Sequence, residues 1–297
     1  MGDVDPVINR VLNEEGQGHE TRTLLYTRLK DLLGRPLVSF FTSFSQPVAI
    51  EDADADMLEG VLQKLDLSNG LALMISSPGG DGLAAERIVN VLRAYSGTNE
   101  YSAVVPGKAK SAATMVSFGA SKVLMGATSE LGPVDPQLTM VENQQTKRFS
   151  AHNVVKSYED LFARAVNEKG NLQPYLQQLA NYDAREIREM EVAIALSEDI
   201  AIRTLGTRMM KGLAETEIKK KIGVFLSPEA TKTHGRPIYR DQATDAGLII
   251  EHVDVTSDLW QAVYELYIRL NYYVTNKVSK VVESEAHSFA AGIPKGN

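Results

Sequence analysis

LALMISSPGGDGLAAERIVNVLRAYSGTNEYSAVVPGKAKSAATMVSFGASKVLMG, residues 71–126, is the stretch on which the fold turns. LALMIS (71–76) is a near-continuous apolar run, the pattern of a strand buried on both faces of a parallel sheet. LAAERIVNVLRAY (83–95) carries its aliphatics at helical spacing, and YSAVVP (101–106) returns to strand. GKAKSAATMVSFGA (107–120) reads as a helix of small residues, and KVLMG (122–126) as another strand. Strand, helix, strand, helix, strand in close succession predicts an α/β fold with parallel pairing.

Working outward, LVSFFTSF (37–44) predicts a further strand and DADMLEGVLQKLD (54–66) an acidic helix between the first two strands. Upstream, TRTLLYTRLKDLLGRP places Leu24, Leu25, Leu29, Leu32 and Leu33 at helical spacing, with Gly34 and Pro36 as a stop. Residues from about 149 to 222 are helical in pattern, and their charges read as solvated helix surface. RPIYRDQATDAGLIIEHVD (236–254) predicts a turn, a helix and a closing strand. LWQAVYELYIRLNYYVTNKV (259–278) predicts a helix whose tyrosines and sole Trp form a core or subunit-interface stripe, and the last dozen residues are expected to fray. The expected organisation is an N-terminal arm and helix (1–34), one α/β domain (35–256) with a helical insertion at about 149–222, and a C-terminal helix and tail (257–297).

The whole chain has 297 residues, 43% of them hydrophobic and 23% charged, which is ordinary globular composition with ample length for a core. Thirty-eight acidic residues against 31 basic ones give a net charge of -7, which argues against a nucleic-acid partner. With no cysteine, disulfides, thiolate metal sites and a cysteine nucleophile are excluded. The histidines are scattered and HExxH is absent, so neither a metal nor another cofactor is expected. The acidic, polar start and the lack of a long apolar run predict a cytoplasmic protein without a transmembrane segment, with peripheral membrane association left open. Gly2 is a weak myristoylation lookalike with no second membrane signal after it.

Two places carry chemistry. SSPGGD ends a buried strand, and its consecutive Gly79 and Gly80 free backbone N–H groups to face an anion; the same pair reads equally as a plain turn. It has neither the GK[ST] ending of a P-loop nor a GxGxxG pattern. Ser111 opens a helix continued by Ala112 and Ala113, where a backbone can approach closely; such a serine is either a helix cap or a nucleophile. One helix and one strand separate the two places, which brings both to the same edge of a parallel sheet, where open α/β sheets bind ligands.

LALMISSPGGDGLAAERI resembles the strand and oxyanion turn of the Clp proteolytic subunit and of signal peptide peptidase A. VVPGKAKSAATMVSFGASKVLMGATSELGPVDPQ is closer to the serine dehydrogenase proteinase family, related to signal peptide peptidase A within the Clp-protease/crotonase superfamily. THGRPIYRDQATDAGLI (233–249) is similar to the segments that close these domains, and SELGPVDPQ is the most specific piece. The resemblance covers about 35–140 well and 231–251 moderately. It implies a stacked β-β-α superhelix with a helical extension, and a homo-oligomer. It further implies a serine peptidase acting on peptide or protein substrates, in which Ser111 attacks a carbonyl and Gly79, Gly80 and Ala112 form the oxyanion hole.

The general base departs from the Clp pattern. The Clp subunit has a His after the strand that follows the nucleophile helix, but that place falls here near Pro133 in LGPVDPQ. Four candidates stand. His152 lies 41 positions after Ser111, where relatives of signal peptide peptidase A place a Lys; Lys156 is one helical turn further, and Lys147 just upstream. His234 lies near the place of the third member of the Clp triad. Lys108 and Lys110 read as local electrostatics or packing, and Asp135 as a turn-forming carboxylate at the edge of the site. Two other readings compete with a peptidase: a catalytically inactive scaffold or binding protein on the same fold, and a crotonase-like acyl-CoA enzyme. The second is disfavoured by the Ser-opened helix and the absence of a well-placed Glu pair.

Overall fold

The computed structural model describes residues 6–14, 17–142 and 145–293, with backbone alone at 140–142, 145–146 and 230; Gly2 and the last four residues lie outside them. Helix α1 (Thr23–Leu33) ends at Gly34, whose φ of 68° is the left-handed cap that glycine adopts without strain. The α/β succession follows: β1 (Leu37–Thr42), α2 (Ala53–Leu62), β2 (Leu71–Ser76), α3 (Gly82–Tyr95), β3 (Tyr101–Val105), α4 (Ala112–Phe118) and β4 (Lys122–Met125). A hairpin, β5 (Gln137–Glu142) and β6 (Gln145–Ser150), leads to the helical extension α5 (Ala151–Asn167), α6 (Gln173–Leu179) and α7 (Ala184–Gly206). Strand β7 (Ile250–His252), helix α8 (Asp258–Asn276) and strands β8 (Lys280–Glu283) and β9 (Ser288–Ala291) follow.

The main sheet has the order β7-β4-β3-β2-β1-β8-β9. Its first five strands are parallel, with Phe40 opposite Ile75, Leu73 opposite Ala103 and Val104 opposite Leu124. The near-continuous apolar strands are explained by burial on both faces. Val38, Phe40, Leu73, Ile75 and Val105 point to one side, onto α2, α3 and α4. Phe41, Ala72, Met74, Val104 and Leu124 point to the other, onto α1 and α8. Each of the larger of these side chains, fully withdrawn from water, contributes on the order of 1.5–3 kcal/mol. This is the α/β architecture with a mostly parallel sheet expected of a Clp/crotonase-like protein. The stripe of α8 is divided: Trp260 is buried with Leu266, Leu270 and Val274, Tyr267 and Tyr273 are half-buried against the same cluster, and Tyr264 is exposed.

Two features depart from the expectations. The stretch 107–120 is not helical throughout: Lys108–Ala109 is a strand and the helix starts at Ala112, because the chain first pairs with Ser77. The C-terminal segment is not a frayed tail through 291, because β8 and β9 complete the sheet in antiparallel pairing. Charge hid β8. Lys280 is buried, its ammonium 2.7 Å from Asp54, and Glu283 is fully buried, its carboxylate 2.6 Å from the Arg22 guanidinium. Each charge would be costly alone, and the tertiary partner makes burial tolerable. No helix among the described residues is long and apolar enough to cross a membrane.

A smaller sheet of Lys108–Ala109, Glu130–Leu131 and Ile238–Tyr239 stands at the C-terminal edge of the parallel strands. It draws three chain segments distant in sequence to one place. The helical extension is fastened beside them, where Ser197 Oγ donates to the Val134 carbonyl at 2.6 Å and the Val134 amide donates to Phe225 O at 2.8 Å.

Candidate active site

At the end of β2 the chain turns through Pro78, Gly79 and Gly80 and is pinned on both sides by main-chain bonds. Ser77 forms a parallel bridge with Ala109, and Gly80 forms one with Ile50. Gly79 has φ of +105°, and a Cβ on it would lie 2.7 Å from both Lys110 O and Ser111 Cβ. A Cβ on Gly80 would lie 2.3 Å from the backbone of Ile50. Only glycines let the turn approach the Ser111 loop and the loop after β1 this closely. The Gly79 amide donates to Ser77 Oγ at 3.1 Å. In the bridge to Ile50 the bonds run from the Ile50 and Asp81 amides, so the Gly80 N–H donates to no acceptor among the described residues.

Ser111 occupies the position before α4 with φ 49° and ψ −118°, a conformation L-residues rarely adopt. Its side chain makes no capping bond to the helix, so the cap alternative finds no support in the geometry. The half-buried Ser111 lines a cleft of about 650 Å³ together with Gly79, Gly80, Ala112 and His234. Ala112 is the first helical residue, and its N–H has no acceptor among the described residues because the intrahelical ladder begins later. The loop is braced from below: Thr114 Oγ1 donates to Ala109 O at 2.7 Å and accepts the Gly132 N–H at 3.0 Å. Lys110 lies along the next strand, its ammonium 3.0 Å from Glu130 and 3.1 Å from Leu131 O. Burial lowers its pKa, and Glu130 opposes that shift.

His234 lines the same cleft, and it is paired with a buried carboxylate. His234 Nδ1 is 2.7 Å from Asp135 Oδ1, and the other oxygen of Asp135 accepts from Gln137 Nε2 at 2.8 Å. The Asp135 side chain is 0% exposed and that of His234 is 25% exposed. Both carboxylate oxygens are therefore used as acceptors, which assigns the proton of His234 to Nδ1 and leaves Nε2 as the acceptor of the ring.

The remaining expected base residues are elsewhere. His152 is in the first turn of α5, outside the cleft lining, with its Nε2 buried and without a hydrogen-bond partner among the described residues. Lys156 lies in a separate surface depression, paired at 3.1 Å with Asp160, and that hydrogen bond raises its pKa. Lys147, opposite Met140, alternates to the hairpin face away from Gln137, Thr139 and Arg148, the three hairpin residues that line the cleft. The structure thus brings together Ser111, the glycines, Ala112 and His234, and leaves His152, Lys156 and Lys147 apart. The residue that sequence reasoning undervalued is Asp135. Its signal was a carboxylate between Pro133 and Pro136 in an apolar stretch, a setting in which burial demands a partner.

One wall of the cleft is apolar. Ala193, Leu196, Ser197 and Ile200 share one face of α7 at helical spacing, and they meet Leu83 of α3 and Met115 of α4. Leu196 and Leu83 remain 39% and 52% exposed, so this wall is open to a ligand.

Residues 31–283 match the sequence profile of ClpP-like SDH-type serine proteinases. An uncharacterised protein of the archaeon Methanocaldococcus jannaschii is 27% identical over 235 residues, covering 79% of this chain and 67% of its own length. A second uncharacterised protein of that organism is 29% identical over 106 residues, 36% of this chain and 32% of its own. The chain therefore spans about a third of the second relative. Among solved structures, a mutant of a membrane-bound stomatin-specific protease is similar at 17% identity with a TM-score of 0.30, over 43% of this chain and 63% of that one.

Proposed function

Because the chain belongs to the family of ClpP-like SDH-type serine proteinases, we propose that Ser111 Oγ attacks the peptide carbonyl with His234 as general base and Asp135 as its orienting partner. The observation that carries this reading is the 2.7 Å contact of His234 Nδ1 with the buried Asp135 carboxylate, in the wall of the cleft that holds Ser111. A serine hydroxyl is a weak nucleophile until a neighbouring base takes its proton. His234 Nε2 is the acceptor suited to that step, and Asp135 stabilises the imidazolium that results. The proton then passes to the leaving amine. A water activated by the same imidazole hydrolyses the acyl-enzyme and restores Ser111.

Charge developing on the carbonyl oxygen is met by two unused donors, the amides of Gly80 and Ala112. Each such donor is worth on the order of 2.7–4 kcal/mol of barrier. Gly79 contributes differently: its amide is committed to Ser77, and its missing Cβ is what lets the turn stand against Ser111. The unusual dihedrals of Ser111, at a cost on the order of 1–3 kcal/mol, turn its hydroxyl out of the cap position and toward substrate. A His–Asp arrangement is favoured over the Lys base implied by the likeness to signal peptide peptidase A, because Lys156 is exposed, ion-paired and outside the cleft.

We also infer a homo-oligomer. Phe162, Val166, Leu172 and Leu176 of the helical extension are 42–68% exposed, more apolar surface than an isolated protomer needs. Sedimentation at 32.5 kDa across micromolar concentrations would remove that inference. The catalytic reading is tested by labelling with a fluorophosphonate. The wild type should label, Ser111→Ala should not, and His234→Ala should label far more slowly. Undiminished labelling of Ser111→Ala would place the nucleophile elsewhere, and a wild type that neither labels nor cleaves any peptide would favour the scaffold reading.

A further inference from the structure

The hairpin β5–β6 presents Gln137, Thr139 and Arg148 to the cleft, Thr139 and Arg148 being direct cross-strand partners. Arg148 is exposed, and no carboxylate among the described residues pairs with it. Besides Arg148, two other charged side chains line the cleft. Asp81 is committed to α3, accepting from the Leu83 amide at 2.7 Å, and Glu51 stands on the loop after β1, on the side of the glycine turn. The cleft is therefore polar in one direction, with a carboxylate at the turn and an unpaired guanidinium on the hairpin.

We propose, resting on the peptidase reading above, that Arg148 selects substrates by binding a carboxylate of the peptide, while the wall of Leu83, Met115, Leu196 and Ile200 takes an aliphatic side chain beside the scissile bond. A guanidinium offers planar paired donors that match a carboxylate, and such charge-assisted bonds are about twice as strong as neutral ones. Gln137 is occupied by Asp135, which leaves Thr139 as the neighbouring hydroxyl on the same hairpin face. The carboxylate has two sources, a Glu or Asp side chain and the C-terminal carboxylate of a short peptide. Both reach Arg148 from an extended chain, whose residues advance about 3.3 Å each.

The test separates recognition from chemistry by measuring binding to the full-length Ser111→Ala protein. Fluorescein-labelled decapeptides with a central Leu carry Glu, Gln or Lys at successive flanking positions, each with a free or an amidated C-terminus. Fluorescence anisotropy should show at least one carboxylate position whose removal weakens binding about fivefold or more. Arg148→Glu on the same background should abolish that preference and favour the Lys peptides, while Arg148→Lys should restore part of it. Sensitivity to amidation assigns the terminus, and sensitivity to an internal Glu assigns the side chain; either supports the proposal. Equal affinity for all the peptides, no binding of any, or an equal effect of Arg148→Glu on acidic and neutral peptides overturns it. If the binding preference holds while the wild type cleaves none of the bound peptides, the peptidase reading fails and the recognition stands. Cleavage with no charge preference is the converse.

Discussion

Gly79 and Ser111 are held together by main chain, through the Ser77–Ala109 bridge and the packing of a glycine against the backbone of Lys110 and Ala112 on either side of Ser111, whereas Asp135 and His234, 99 residues apart, meet through a side-chain hydrogen bond. The first half of the cleft depends on conformation and on atoms that are missing. The second depends on which side chains are present. On the proposed reading, the difference lets such a cleft keep its oxyanion donors while its base changes. In the Clp subunit the His follows the strand after the nucleophile helix; here Asp135 stands near that place, and the His arrives from the closing loop at 234. A hydrogen-bonded pair reads the same in either chain order, because only the ring nitrogen that faces the nucleophile matters.

Substitutions in the two halves should therefore fail in different ways, and the largest effect is expected where the halves meet. Ser111→Ala should lower kcat by up to about 10⁶-fold and abolish covalent labelling, with an unchanged circular dichroism spectrum and oligomer. Asp135→Asn should lower kcat by about 10⁴-fold while the fold persists, because the amide fits the same space but favours the wrong tautomer of His234. Measured beside Ser111→Ala, the double variant with Asp135→Asn should be no worse than Ser111→Ala alone, as for residues that act as a unit. Additive losses would break the pairing of the two halves. His152→Ala and Lys156→Ala serve as controls and should keep near-wild-type turnover; a loss of 100-fold in either would move the base to α5.

Gly79→Ala probes the backbone half. Its Cβ would meet Lys110 O and Ser111 Cβ at 2.7 Å in a left-handed conformation, so stability should fall by about 1–3 kcal/mol in a thermal melt and activity should fall with it. This half was legible in the sequence because a sharp turn demands glycine and a close helix start demands small residues, and both demands are written locally in SSPGGD and SAAT. The parallel strands were legible for the same reason, since burial on both faces writes an apolar run. Asp135 was not, because a carboxylate between two prolines reads as a turn until its partner, contributed by a distant loop, is known. Strand β8 was hidden likewise: Lys280 and Glu283 mark it as surface unless Asp54 and Arg22 are seen to receive them.

The smallest effect concerns the brace between the halves. Lys110 precedes the nucleophile, yet its ammonium reaches across to Glu130 and Leu131, at the start of the segment that carries Asp135. Together with Thr114, which joins Ala109 O to the Gly132 N–H, and Lys108, 3.8 Å from Glu130, it ties the serine loop to the segment leading to Asp135. Lys110→Met should lower kcat/KM by about tenfold through misplacement of the pair, and a double-mutant cycle with Glu130→Gln should give a coupling within about 0.5–3 kcal/mol, as for residues in contact. Burial lowers the pKa of Lys110, the property a lysine base would need, so the same variant also discriminates between bases. If Lys110→Met silenced labelling as completely as Ser111→Ala while His234→Ala still labelled at the wild-type rate, the base would belong to the backbone half, and Asp135 and His234 would be left with a structural role. A tenfold loss in Lys110→Met beside a far larger loss in His234→Ala keeps the base where the buried carboxylate is.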